Sequence, residues 1–322
     1  MDFSRREVLS GTAAFMGSAL GGGLIANAAA EPATQRKTKP SANEPFGYCL
    51  NTSTIRGNHL AVPAQIDVAA NAGYDAIEPW ARDIEAYTAK GGALKDLAKR
   101  IADSGLSVED VIAFNAWLDD DSTRRANSME NLKREMDMVA QVGGKRIATP
   151  PGNNGENVSL DHAIEYYRAA LELGQRMGVQ PLLELWGRSS VLGPLSHGAY
   201  VAIGTGRPDA SMLLDIFHLY KSGSSFASLN QVNGGALQVI HINDYPAADD
   251  PSKLTDADRV YPGDGVAPLR KIFRDLRDNG FRGVLSLELF NQEYWKMSAE
   301  ENARMGLEKT RSAVRTALSQ SA

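Results

Sequence analysis

Four short apolar stretches each carry, near their end, a group able to do chemistry. "LLELW" holds Glu184, "MLLDIF" holds Asp215, "QVIHIN" holds His241 and "VLSLELF" holds Glu288. Each stretch would otherwise be wholly buried, and a carboxylate left unpaired in such a place either costs several kcal/mol or takes up a proton. A single acid of this kind reads as a helix cap or half of an ion pair, and a single histidine as a satisfied core residue. Four at equivalent positions read as one shared site. The four stretches contain no arginine or lysine, so three carboxylates and an imidazole lack an obvious counter-charge, and a divalent cation supplies it. Three oxygens and one nitrogen suit Mn²⁺, Co²⁺, Mg²⁺ or Zn²⁺, with the imidazole disfavouring Ca²⁺. Four protein ligands leave a five- or six-coordinate ion with positions open to substrate oxygens, an arrangement that favours catalysis over a purely structural role.

The elements that must position these groups follow from the periodicity. From Phe46 onward, short aliphatic runs alternate with longer segments whose apolar residues recur at helical spacing. The expected strands cover 46–51, 74–79, 107–115, 145–150, 180–186, 211–217, 237–243 and 283–290. Helical segments follow them, several closed by a glycine such as Gly73 or Gly105, where the chain must turn through positive φ. Eight strand–helix pairs in about 280 residues predict an α/β fold, a (β/α)8 TIM barrel. No G-x-G-x-x-G follows the first strand, which argues against a dinucleotide-binding sheet. In a (β/α)8 barrel the C-terminal strand ends build the site, and Glu78 ends strand 2 as the other four residues end or nearly end strands 5 to 8.

The chain has 322 residues, 43% hydrophobic and 23% charged, with a formal net charge of −5, ample for one large core. The acidic balance, without a basic stripe, points away from nucleic acid and towards a small-molecule ligand. Arg5 and Arg6, a weakly apolar Gly-rich stretch and "ANAAA" resemble a twin-arginine (Tat) export signal over residues 1–30. That stretch is poorly hydrophobic for a permanent anchor. The expectation is therefore an exported or periplasmic protein with no stable membrane span after cleavage. Residues 31–45 are polar and Pro-bearing and read as a disordered linker, leaving 46–322 as a single catalytic domain. The lone Cys49 cannot form an internal disulfide.

These strand ends, with "LLDIFHLYKSG", "HINDYP", "DADRVYPGDGVAPL" and "NGFRGVLSLELFNQEYWKMSAEE", resemble the xylose isomerase-like (sugar phosphate isomerase/epimerase) barrels. Among these the inosose (2-keto-myo-inositol) isomerases are the most similar, and the resemblance runs over 46–318. It implies one metal ion, Mn²⁺ or Co²⁺ ahead of Mg²⁺ or Zn²⁺, held by Glu184, Asp215, His241 and Glu288. It also implies that Glu184 and Glu288 face each other across a keto-sugar or keto-cyclitol and move a proton between carbons through an enediol(ate). His218 matches a histidine that touches substrate or the catalytic glutamate, and Glu78 and Asn115 match polar strand-end positions expected on substrate hydroxyls. Arg259, in the loop after strand 7, is expected to reach a substrate oxygen or to order its loop. Relatives often pair through barrel-face helices, so a homo-oligomer is expected.

Trp80, Trp117, Trp186 and Trp295 lie just after strand ends or in adjoining loops, where ring faces could stack on a sugar. An apurinic endonuclease on the same barrel would need histidines where Glu78 and Asn115 stand. A lyase or hydrolase of 3-keto-glycosides would use the same metal and glutamates, expelling a leaving group from the enediolate, and fits an exported enzyme. A sugar-binding protein without turnover would not need two carboxylates on opposite sides of one ion.

Overall fold

The computed structural model describes residues 44–152 and 157–319. The expected leader, and all of the expected linker before residue 44, lie outside the described residues. Eight strands follow in order: β1 (Gly47–Asn51), β2 (Ala76–Glu78), β3 (Ser107–Val108), β4 (Arg146–Thr149), β5 (Gln180–Glu184), β6 (Ser211–Asp215), β7 (Leu237–Ile242) and β8 (Val284–Leu287). The helices are α1 (Val62–Ala72), α2 (Ala81–Ala89), α3 (Leu94–Asp103), α4 (Ser122–Gln141), α5 (Leu160–Met177), α6 (Leu195–Gly204), α7 (Ile216–Lys221), α8 (Leu269–Asp278) and α9 (Ala299–Ser319). Every strand pairing is parallel, in the order β3-β2-β1-β8-β7-β6-β5-β4. Ala148 N on β4 donates to Val111 O just past β3 at 3.0 Å, so the two outer strands meet and the expected (β/α)8 barrel is realised.

Apart from half-buried positions such as Gln180 and Gln238, the strands are buried because helices cover their outer faces, and their sequences accordingly read as apolar runs. Inside the barrel, Cys49, Ala76, Ile112, Ala148, Leu182, Leu213, Val239 and Val284 form one small cluster; the larger core lies between strands and helices. Helix starts are fixed locally, as where the side chain of Ser159 accepts from His162 N at 3.1 Å and that of Asp121 from Arg124 N at 2.8 Å. α2 falls within a segment with a weak apolar pattern and was not expected.

Seven of the eight strands stop before their expected last residue, and β6 and β3 do so for local reasons. β6 stops at Asp215 because its Oδ1 accepts from Phe217 N at 2.8 Å and His218 N at 3.2 Å, which starts α7. The expected 107–115 strand is regular for two residues only. β2 and β3 pair Ala76 with Ser107 and Ile77 with Val108, but the next bridge joins Trp80 to Ile112, one residue out of step. Asp110 Oδ1 accepts from Val111 N at the slip. Such a bulge inverts the side-chain alternation downstream. Ile112 and Phe114 therefore turn towards the barrel axis and its mouth, while Asn115 turns outward to α4, where it donates to Glu135.

Helix α9 seats β8 through Gly306, where a Cβ would run into Leu287 Cδ2. Gly306→Val should destabilise the fold by about 1–3 kcal/mol in urea titrations, because the overpacked side chain pushes on the strand that delivers Glu288. A variant as stable as the parent would mean that Leu287 yields and the contact does not fix β8.

Candidate metal centre and substrate cavity

Asp215 at the end of β6, His241 on β7 and Glu288 just after β8 are buried, and a ligand atom from each lies within 4.8 Å of the others. The adjacent registers Asp215↔His241 and Ile242↔Leu287 bring these strand ends to one level. His241 Nε2 lies 3.1 Å from Glu78 Oε1, which fixes the ring, and Glu78 Oε2 accepts from Ser286 Oγ at 2.6 Å and Asn51 Nδ2 at 2.8 Å. The other ring nitrogen, Nδ1, is 3.2 Å from Glu288 Oε2 and 3.8 Å from Asp215 Oδ2 without an aligned hydrogen bond to either. Asp215 divides its oxygens: Oδ1 caps α7 and accepts from Asn243 Nδ2 at 3.1 Å, while Oδ2 faces the centre. A buried imidazole nitrogen without an aligned partner, aimed between two carboxylates, is the donor set of a divalent cation, so these residues fit one.

A counter-charge is nonetheless present. Arg259 is 1% exposed, and its Nη1 donates to Asp215 Oδ2 at 2.6 Å and Glu288 Oε2 at 2.7 Å, with Nη2 on Asp256 Oδ1 at 2.9 Å. The inference of a cation from a missing arginine is thus corrected, and the case rests on the ligand geometry. Arg259 lies in the loop after β7, where strand periodicity gives no direction.

The charges shape one another. Burial works against a charged His241, but Glu288 and Glu78 outweigh it and hold the imidazole well above its ordinary range. Burial would likewise raise Asp215, yet Arg259, with the histidines, keeps it well below the usual carboxylate range. A cation must expel the His241 proton to bind, so affinity falls on acidification. Glu184 is pushed up to about 8, first by burial and then by Glu288 and Asp215, against the pull of His241 and a hydrogen bond from Trp186. His218 is lowered to about 4, chiefly by burial and also by Arg259. Its Nε2 lies 3.4 Å from Arg259 Nη2, a group that only donates, so Nδ1 carries the hydrogen, and that donor has no partner.

A cavity of about 360 Å³ opens over this cluster, lined by Glu184, His218, Arg259 and Glu288, by Arg188, Lys221 and Asp256, and by Trp80, Phe114, Trp186 and Phe290. Of the expected four-residue ligand set the structure brings three together. Glu184 shares the cavity but stands outside the cluster. Glu78, expected on substrate hydroxyls, is fully buried against His241, whose ring it fixes, and is not among the residues that line the cavity. Asn115 also leaves the substrate side, for the register reason given above. Two of the four tryptophans serve elsewhere: Trp117 is in the core with its indole on Pro150 O at 2.8 Å, and Trp295 packs at Gly57 with its indole on Ser53 O at 3.2 Å. Sequence reasoning missed Asn51, whose Nδ2 also reaches Glu288 Oε1 at 3.2 Å; it ends β1 and obeys the same strand-end rule.

Residues 66–313 match the family described as xylose isomerase-like TIM barrel. The chain is 27% identical over 275 residues to an inosose isomerase of Bacillus velezensis, covering 83% of this chain and 96% of that one. It is 26% identical over 264 residues to a fructoselysine 3-epimerase of Escherichia coli O157:H7, covering 74% and 90%. A crystal structure of the IOLI protein with a bound zinc atom superposes with a TM-score of 0.78 at 24% identity, over 84% of this chain and 99% of the other. With such relatives the chain is a sugar isomerase/epimerase-like enzyme.

Two outcomes follow. In chelator, the unfolded chain ionises Glu184 near its ordinary value while the folded chain keeps it protonated up to about 8, so this residue costs stability progressively as pH rises through that window. Glu184→Gln should then melt like the parent near pH 4 and above it at pH 8; equal melting temperatures at both would remove the perturbed carboxyl. By calorimetry, Asp215→Ala should lose Mn²⁺ binding, whereas Arg259→Gln, without the resident cation, should bind it about tenfold more tightly if displacing charged hydrogen bonds costs roughly 1.5 kcal/mol. Weaker binding by the Arg259 variant would make the arginine a support of the site and not a competitor.

Proposed function

We propose a function on one premise: this chain belongs to the xylose isomerase-like TIM barrel family. The reaction is a divalent-metal-dependent isomerisation or epimerisation of a keto-sugar or keto-cyclitol. The observation that supports it most is the meeting of Glu184, from β5, and Glu288, from the end of β8, in one cavity with the Asp215–His241–Glu288 cluster. Asp215, His241 and Glu288 would hold the ion, with Mn²⁺ or Co²⁺ the preferred metals. When bound, the ion polarises the substrate carbonyl and makes the adjacent C–H acidic.

The side chains supply the rest. One glutamate removes the proton α to the carbonyl, leaving an enediolate, and the other returns a proton to the neighbouring carbon or the opposite face. Glu184 suits this traffic because it faces the cavity beside the cluster; burial raises its carboxyl to about 8 in the ion-free site, and a bound cation would draw it down towards the ionised form a base needs. His218 offers the unpartnered Nδ1–H to a substrate oxygen and stays neutral above its lowered range. Arg259, held by Asp256, presents a fixed positive charge to the same space. The export signal expected in the first thirty residues would place the reaction outside the cytoplasm.

Glu184→Gln and Glu288→Gln should each slow deuterium incorporation from D₂O into an inosose or ketohexose by roughly 10²–10⁴-fold, read by NMR on folded protein loaded with Mn²⁺. Near-parental exchange in either variant would exclude proton transfer by the pair.

A further inference from the structure

Four aromatic rings from four different strand ends run in an unbroken row along the cavity. Phe290 meets Trp80 edge-on with centroids 6.1 Å apart, Trp80 meets Phe114 at 5.2 Å, and Phe114 meets Trp186 at 5.8 Å. Three of the four are buried or half-buried. Phe114 is 53% exposed, although it lines the same cavity. Isolated exposed apolar side chains need no explanation, and Tyr200, Ile203 and Val266 line neither this cavity nor the row. Phe114 differs because its exposed face continues the wall of a ligand site.

The two flanking indoles are already engaged. Trp80 donates to Asn51 Oδ1 at 2.9 Å and carries the Arg56 guanidinium 3.7 Å above its ring. Trp186 bonds Glu184 and carries Arg188 at 4.6 Å. Phe114 has no polar handle, and, unlike Phe290 with Arg56 and Arg259 over its ring, it carries no guanidinium among the described residues; the register slip after β3 is what turns it inward. One wall of the cavity is thus aromatic, its rings tilted 40–79° to one another and its indoles carrying guanidinium groups, and it stands apart from the carboxylates where a carbonyl and hydroxyls would sit.

We propose that Phe114, with Trp80 and Trp186, forms an outer subsite for a flat apolar substituent, so that the substrate class is a keto-sugar glycoside with an aromatic aglycone and not a free monosaccharide. The proposal rests on the keto-sugar reading above and extends it. Offset or edge contacts between rings are the recognition, and they add to the area buried.

The test is calorimetric titration of the Mn²⁺-loaded full chain with phenyl β-D-glucopyranoside and methyl β-D-glucopyranoside. The phenyl glucoside should bind about three- to tenfold more tightly, the contribution of one aromatic pair. In Phe114→Ala the ratio should fall to near one, and in Phe114→Leu, which keeps an apolar side chain without a ring, it should fall part of the way. Equal affinities in the parent, no binding of the phenyl glucoside, or a ratio that survives Phe114→Ala overturns the subsite. Deuterium exchange into keto-sugars on the same preparations separates the two failures: no exchange with a preserved phenyl preference sinks the isomerase reading alone.

Discussion

The structure is organised around the cost of buried charge. Glu78, Asp215 and Glu288 are all withdrawn from water, and one imidazole and one guanidinium stand among them. Removing one partner from such an arrangement leaves an uncompensated buried ion, the most damaging kind of substitution in a protein interior. Asn51, Ser286 and Asn243 therefore fill the remaining lone pairs, each from the end of a different strand or just beyond it. That polar layer gives the short strands of the barrel a fixed level at their C-terminal ends. β2, only three residues long, is tied there through Glu78 to β1, β7 and β8.

Asp215 links this layer to local folding. One oxygen terminates β6 and opens α7, and the other points to the cation position and to Arg259. His218, on the first turn of α7, is thus oriented by the same carboxylate that orders the metal cluster. Arg259 completes the arrangement from the far side of a long loop whose Asp256 holds its second nitrogen. Cluster, helix start and loop are one electrostatic unit.

How far this could be read from the sequence depends on how each residue is placed. Asp215, His241 and Glu288 interrupt apolar runs, and parallel strands in a barrel deliver such interruptions to one level, so both fold and cluster were legible. Glu78 was legible as a strand-end acid, but its partner was not, since only the closed barrel sets it against His241. Arg259 comes from a loop, and no periodicity says that its side chain returns to the carboxylates. Asn115 was misplaced for a sharper reason. It is expected near substrate by resemblance, as a polar strand-end residue, whereas the pairing slips by one after Val108 and sets Asn115 towards α4 and Phe114 towards the cavity.

That slip puts part of the ligand surface under the control of chain length. The residue shown to the cavity mouth depends on how many residues separate Val108 from Ile112, and so does the residue handed to α4. That interval holds one residue more than regular pairing uses, so it is the bulge that places a phenyl ring where unbroken alternation would present an amide. In this barrel a single surplus residue among the three between Val108 and Ile112 sets which side chain lines the cavity mouth, which comparison of aligned site residues would not see.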